Sequence, residues 1–189
     1  MNKAKNIVAL GDSITYGYPY TPKASWVNIL DKKMNIKIIN KGINGDTLEG
    51  MLERFDQDVK SFTPKFMIVM GGTNDAFNDA SVDSMKYNLK QIIERAINSG
   101  IIPIVGMTIP VDEPVIEQKL IKYRDFIKDF CKKNDILIID FFSVMVDDRG
   151  RIKQALDFDG VHPNREGYRV MGQEAQRTMQ GKHSEQIWL

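Results

Sequence analysis

The chain has 189 residues, 42% of them hydrophobic, which suits one domain with a sizeable core. Twenty-six basic residues stand against 25 acidic ones for a net charge of +1, and no stretch gathers five or six like charges, so neither a nucleic acid nor an anionic membrane surface is called for. The lone Cys131 excludes an internal disulfide, no Asn-x-Ser/Thr sequon occurs, and the first apolar run, Ile7-Val8-Ala9-Leu10, is too short for a signal h-region or a membrane span. A cytoplasmic protein is the expectation.

In chain order, short apolar runs alternate with longer amphipathic segments, without internal repeats or low-complexity tracts. Strand-like runs cover 6–10, 36–39, 66–70, 101–107 and 136–142. Most are nearly continuous in apolar residues, the pattern of strands covered on both faces; the second is interrupted by Lys37. Helical patterns lie near 25–34, 47–60, 82–99, 114–134 and 164–179. In the third, Met85, Leu89, Ile92, Ile93 and Ala96 recur at three- and four-residue steps before Gly100 stops it. This βαβ rhythm with right-handed crossovers predicts a doubly wound, five-stranded parallel sheet in one domain spanning 1–189, with 181–189 as a tail. Function then belongs at the carboxyl ends of the strands, in loops 11–25, 40–47, 71–79, 108–113 and 143–163.

Those loops hold the chemistry. Ser13 follows the first strand in Gly11-Asp12-Ser13, a tripeptide that equally begins an ordinary turn. Of the two histidines, His183 lies in the terminal stretch, whereas His162 sits in Asp157-Phe158-Asp159-Gly160-Val161-His162-Pro163. Asp159, three residues earlier, can reach the His162 ring across a turn containing Gly160 and fix its tautomer; the same pair could also merely cap the helix that follows. After the second strand, Asn40-Lys41-Gly42-Ile43-Asn44-Gly45-Asp46 offers the Gly45 amide to a substrate, and after the third, Gly71-Gly72-Thr73-Asn74-Asp75 offers the Asn74 side-chain amide. Taken singly, each of these segments reads as a turn.

Together, Gly-Asp-Ser, Asn-x-Gly-x-x-Gly, Gly-x-Asn-Asp and Asp-x-x-His-Pro, in this order from Gly11 to Pro163, resemble the SGNH hydrolases, the GDSL family of esterases and lipases. The resemblance implies a flavodoxin-like three-layer α/β/α sandwich. It also implies Ser13 as nucleophile, Asp159 and His162 as the rest of a triad, and an oxyanion hole from Ser13, Gly45 and Asn74. The one departure is Ile14, where the eponymous pattern has Leu. Asp12 and Asp75 are expected to support the two turns by accepting loop amides. Asp157, five residues from His162, lies outside the turn that joins the pair.

The chemistry so implied is acyl transfer through an acyl-enzyme, with no metal or organic cofactor, on a small-molecule acyl ester such as an acetylated carbohydrate, a lysophospholipid or an acyl thioester. A metal-dependent phosphoesterase built on Asp12, Asp157, Asp159 and His162, and a non-catalytic binding module on the same fold, are the rival readings. No nucleotide-binding glycine motif and no long apolar lid is visible. Tyr16, Tyr18 and Tyr20 either line a pocket or pack. Trp26, Met67, Met70, Met107, Met145, Met171 and Cys131 read as core, and the segment 108–117 leaves the fourth strand on the side of the site.

Overall fold

Backbone groups within a strand must find partners on both sides, and the chain meets that demand with five parallel strands: β1 (Ile7–Gly11), β2 (Ile38–Gly42), β3 (Phe66–Met70), β4 (Ile102–Gly106) and β5 (Leu137–Ile139), ordered β2-β1-β3-β4-β5. The computed structural model describes residues 7–181, so His183 and nearly all of the expected tail lie outside the described residues. Strands β1 and β3 are buried over their full length. Alternate side chains serve two cores. Val8 and Leu10 of β1 join Met67 and Val69 of β3 beneath α3 (Leu48–Glu53), α4 (Phe55–Asp58), α6 (Val82–Asn98) and α7 (Pro114–Lys133). Ile7 and Ala9 join Ile68 and Met70 against α2 (Trp26–Met34), α8 (Phe141–Met145) and α9 (Arg165–Gln180). The result is the expected α/β/α sandwich.

Two short helices sit inside segments expected to be loops, α1 (Ser13–Tyr16) and α5 (Thr73–Phe77). Each is a turn or so long, below the length at which apolar periodicity becomes visible. The pattern over 47–60 breaks into α3 and α4 at Arg54, followed by a 3-10 turn at Lys60–Phe62. The expected strand 136–142 stops at Ile139, because the Asp140 carboxylate accepts the Ser143 amide at 3.1 Å and caps α8. Strand β2 runs two to three residues later than the apolar pattern placed it. As an edge strand it tolerates the polar Asn40-Lys41-Gly42, whose Asn40 side chain donates to the Thr15 carbonyl at 2.8 Å.

Core expectations hold: Trp26, Met67, Met70, Met107, Met145, Met171 and Cys131 are all buried. Burial pushes the Cys131 thiol up to about 12, which leaves it an inert apolar filler.

The closest backbone approach near the functional rim is at Gly42, where an added Cβ would lie 2.1 Å from the Tyr16 backbone nitrogen. Gly42→Ala must therefore force α1 away from β2. The expected outcome is a loss of about 1–3 kcal/mol, read as a lower midpoint in urea denaturation, together with lower esterase activity.

Candidate active site

Strand β1 ends at Gly11, and the chain turns at once into α1. The Asp12 carboxylate accepts the Ile14 amide at 2.9 Å and caps that helix, which leaves Ser13 on its first turn, 6% exposed. Beneath it, the Thr15 carbonyl receives the Ser25 hydroxyl at 2.7 Å and the Asn40 amide at 2.8 Å. Burial, with Asp75 adding like charge, pushes the Asp12 carboxyl up to about 7, although the Ile14 amide works the other way.

His162 arrives from the far end of the chain. Its loop is closed by the Asp157 carboxylate, which accepts the Gly160 amide at 2.8 Å, and by the Phe158 amide, which donates to the His162 carbonyl at 2.9 Å. Gly160 takes φ +84°, which glycine adopts without a Cβ clash. The loop is pinned from outside by the Asp112 amide, which donates to the Gly160 carbonyl at 2.7 Å, and by Asn164, whose side chain donates to the carbonyls of Ala155 and Asp157 while capping α9. Asp157 is thereby occupied within the turn, and Asp159 faces the imidazole.

The resulting relay is short. Asp159 Oδ2 and Oδ1 lie 2.9 and 3.1 Å from His162 Nδ1, and His162 Nε2 lies 3.0 Å from Ser13 Oγ, although 149 positions separate the two residues in the chain. Burial opposes ionisation of Asp159, but the backbone amide and ring of His162 and the Val161 amide outweigh it and hold the carboxyl below its ordinary value. With Nδ1–H donating to that carboxylate, Nε2 carries the lone pair that accepts the Ser13 hydroxyl.

On the opposite side of Ser13 in the sheet order, Gly45 occupies a left-handed turn at φ +79° in the exposed loop after β2. Asn74 stands in α5, after β3, and its side-chain amide donates one hydrogen to the Asp46 carbonyl at 2.9 Å. That bond ties the Asn74 amide to the residue next to Gly45 and leaves its second N–H free of that commitment. Asp75 turns inward and accepts the Leu48 amide at 3.1–3.2 Å, and burial raises its carboxyl above the ordinary value.

Sequence reasoning passed over Arg54 and Tyr168 and left Tyr18 open between lining a pocket and packing. Arg54 reaches the Gly11 carbonyl at 3.0 Å from the break between α3 and α4. The Tyr18 ring lies 4.6 Å from the His162 ring at 57°, and the Tyr168 hydroxyl donates to the Tyr18 carbonyl at 2.6 Å. The helical pattern around residue 168 signals a buried Tyr168 but not its partner, and Arg54 looks like any charged residue within an amphipathic stretch. Among the described residues, no three of His, Cys, Asp or Glu gather where they could hold a metal ion, and no helix is long and apolar enough to cross a membrane.

Residues 9–170 match the GDSL-like Lipase/Acylhydrolase family. An uncharacterised lipoprotein of Bacillus subtilis strain 168, YqeF, is 30% identical over 88% of this chain and 86% of its own length. The thioesterase 1/protease 1/lysophospholipase L1 of Escherichia coli K12 is 26% identical over 86% of this chain and 77% of its own. A solved G-D-S-L family protein from Desulfitobacterium hafniense DCB-2 superposes with a TM-score of 0.87 at 30% identity, covering 92% of this chain and 99% of that one. The chain belongs to the GDSL-like lipase/acylhydrolase family and is a carboxylic ester hydrolase.

Proposed function

We propose that this esterase works through Ser13, His162 and Asp159 as nucleophile, general base and orienting carboxylate. The observation that carries this reading is the continuous path from Asp159 through Nδ1 and Nε2 of His162 to Ser13 Oγ, at 2.9 and 3.0 Å. His162 takes the hydroxyl proton as Oγ bonds to the acyl carbon. Asp159, held ionised by its amide donors, stabilises the imidazolium that forms. The carbonyl oxygen becomes an oxyanion facing the amides of Ser13 and Gly45 and the free N–H of Asn74. Collapse of the tetrahedral species expels the alcohol, which takes the proton back from His162. Water then repeats the sequence on the acyl-enzyme, and no step calls for a cofactor.

The acyl part is read from the apolar residues exposed near the proposed catalytic groups in the chain. Ile43, Phe77 and Phe158 are 46%, 43% and 51% exposed, and each stands within three residues of a proposed catalytic group, namely Gly45, Asn74 and Asp159. Exposed apolar side chains in the segments that follow β2, β3 and β5 suit a small or medium acyl chain laid across the rim. Acetylated carbohydrates, lysophospholipids and acyl thioesters differ in the length of that chain and in the leaving group.

A panel of p-nitrophenyl esters of increasing acyl length, run with added chelator, tests the reading. The native enzyme is expected to turn over at an undiminished rate, and Ser13→Ala to lose about 10⁶-fold in kcat while staying folded by circular dichroism. Equal turnover by the two proteins removes Ser13 from the mechanism. Asn74→Ala should lose roughly 10²–10³ in kcat, about 2.7–4 kcal/mol of transition-state stabilisation, with the same acyl-length preference.

Asp12 acts on stability. Its carboxyl rises from 3.8 to about 7 on folding, so between these values the folded state keeps a proton that the unfolded chain has released. Stability therefore falls as pH rises through that window and is insensitive to this group above it. Asp12→Asn, which still caps α1, should flatten the fall in urea midpoint from pH 4 to 7.

A further inference from the structure

We propose that Arg54 is a positioning residue for the oxyanion donors, setting the Asn74 amide and the Gly45 loop against the turn that carries Ser13. The inference rests on the assignment of Gly45 and Asn74 made above. Arg54 lies between α3 and α4, and its side chain is 13% exposed. Its guanidinium reaches three partners: Nε and Nη2 each lie 2.7 Å from Asp46 Oδ2, Nη2 donates to the Gly11 carbonyl at 3.0 Å and Nη1 to Asp58 Oδ2 at 2.9 Å. Only Asp58 is local, and Lys41 shares it at 2.8 Å. The other two partners are the end of β1, two residues before Ser13, and the residue after Gly45.

Asp46 converts that grip into orientation. Its carboxylate accepts the Thr47 amide at 3.0 Å as well as Arg54, and its carbonyl accepts the Asn74 side chain at 2.9 Å. Gly50 leaves the space for it, since a Cβ there would lie 2.2 Å from Asp46 Oδ1. The Gly11 carbonyl also receives the Ile43 amide at 3.0 Å, so the strand end bearing the nucleophile and the loop bearing Gly45 are joined twice, once by backbone and once through Arg54. A planar fork with fixed donor directions can hold three acceptors in one geometry, which a lysine ammonium cannot. Displacing an oxyanion donor by even 1 Å costs turnover without altering how the ester docks.

The test is a double-mutant cycle on p-nitrophenyl acetate hydrolysis. Arg54→Met is expected to lower kcat roughly 100-fold with KM within about twofold, and Arg54→Lys to restore only part of it. In the Asn74→Ala background the same Arg54→Met change should cost about tenfold or less, because one of the two donors it positions is gone and only the Gly45 loop is left to displace. If Arg54→Met does not fold, two milder variants decide. Asp46→Asn should lower kcat with KM unchanged, whereas Asp58→Asn should lower the urea midpoint and leave kcat intact. Equal effects of Asp46→Asn and Asp58→Asn on kcat, or full additivity of Arg54→Met with Asn74→Ala, overturn the inference. An Asn74→Ala enzyme at full rate instead overturns the oxyanion assignment beneath it.

Discussion

The strand ends of a fully parallel sheet face one way, and the level at which β1 stops governs everything built above it. Gly11 pairs with Gly42 on one side and Met70 on the other, so the turns at Ser13, at Ile43 and at Gly71 leave the sheet at one height. A slip of one residue would move Ser13 by about 3.3 Å along the strand and exchange the faces of Ile7 and Val8. In a half-exposed strand, hydrophobic alternation would forbid that slip. Here both faces are buried and both accept aliphatic side chains, so alternation discriminates little. Register must come from elsewhere. Gly11 and Gly42 supply part of it, because an added Cβ at Gly11 would lie 2.1 Å from Thr15 Oγ1 and one at Gly42 would meet the Tyr16 backbone. Polar bonds at the rim supply the rest, and the residues that frame the site thus double as the markers that align the strands.

Those polar bonds explain why so much charge lies under a surface that water reaches easily. Asp12 and Asp75 are nearly inaccessible and each is raised toward its neutral form by burial; Asp12 accepts an amide of its own turn and Asp75 one from the segment after β2. An apolar residue at either place would avoid the desolvation cost but leave the Ile14 or Leu48 amide unpaired. The Asp159 carboxyl shows the opposite balance. It is only partly shielded, and three donors from its own turn hold it ionised. The difference between a carboxyl that braces a turn and one that faces an imidazole is therefore set by donor count and exposure, since residue type is the same in all three.

How far the sequence discloses this arrangement depends on what each feature is made of. Strands β1 and β3 are central, so apolar runs mark them within a residue; β2 and β5 are the sheet edges, where one side faces no strand, and their runs are diluted or cut short. The longest helices, α6, α7 and α9, agree with their apolar periodicity to within two residues. The candidate site was legible only through four motifs taken together in their order and their resemblance to the SGNH hydrolases, because Gly, Asn, Asp and Ser at a strand end each have a backbone reason to be there and singly read as turns. Arg54 was not legible, and Tyr18 was legible only as a residue that lines a pocket or packs, because their partners, a carbonyl 43 positions away and a ring 144 positions away, leave no trace in local composition.

The distance between Ser13 and His162 has a remoter determinant. Ser13 is fixed by the end of β1, but His162 belongs to a loop stabilised by its own bonds, which could dock as a unit at a range of heights. What brings that unit to the serine is the helix that follows it. Asn164 is both the clamp of the loop and the cap of α9, so loop and helix move together. Helix α9 packs on α2, which follows the turn that carries Ser13, and the crossing is close: a Cβ at Gly172 would lie 2.5 Å from Ile29 Cγ2 and 3.3 Å from the Trp26 carbonyl. The Tyr168 hydroxyl then binds the Tyr18 carbonyl and sets the Tyr18 ring against His162. The 3.0 Å separation of Oγ and Nε2 is thus a property of how two helices pack on one face of the sheet, about as much as of the two loops that hold the atoms.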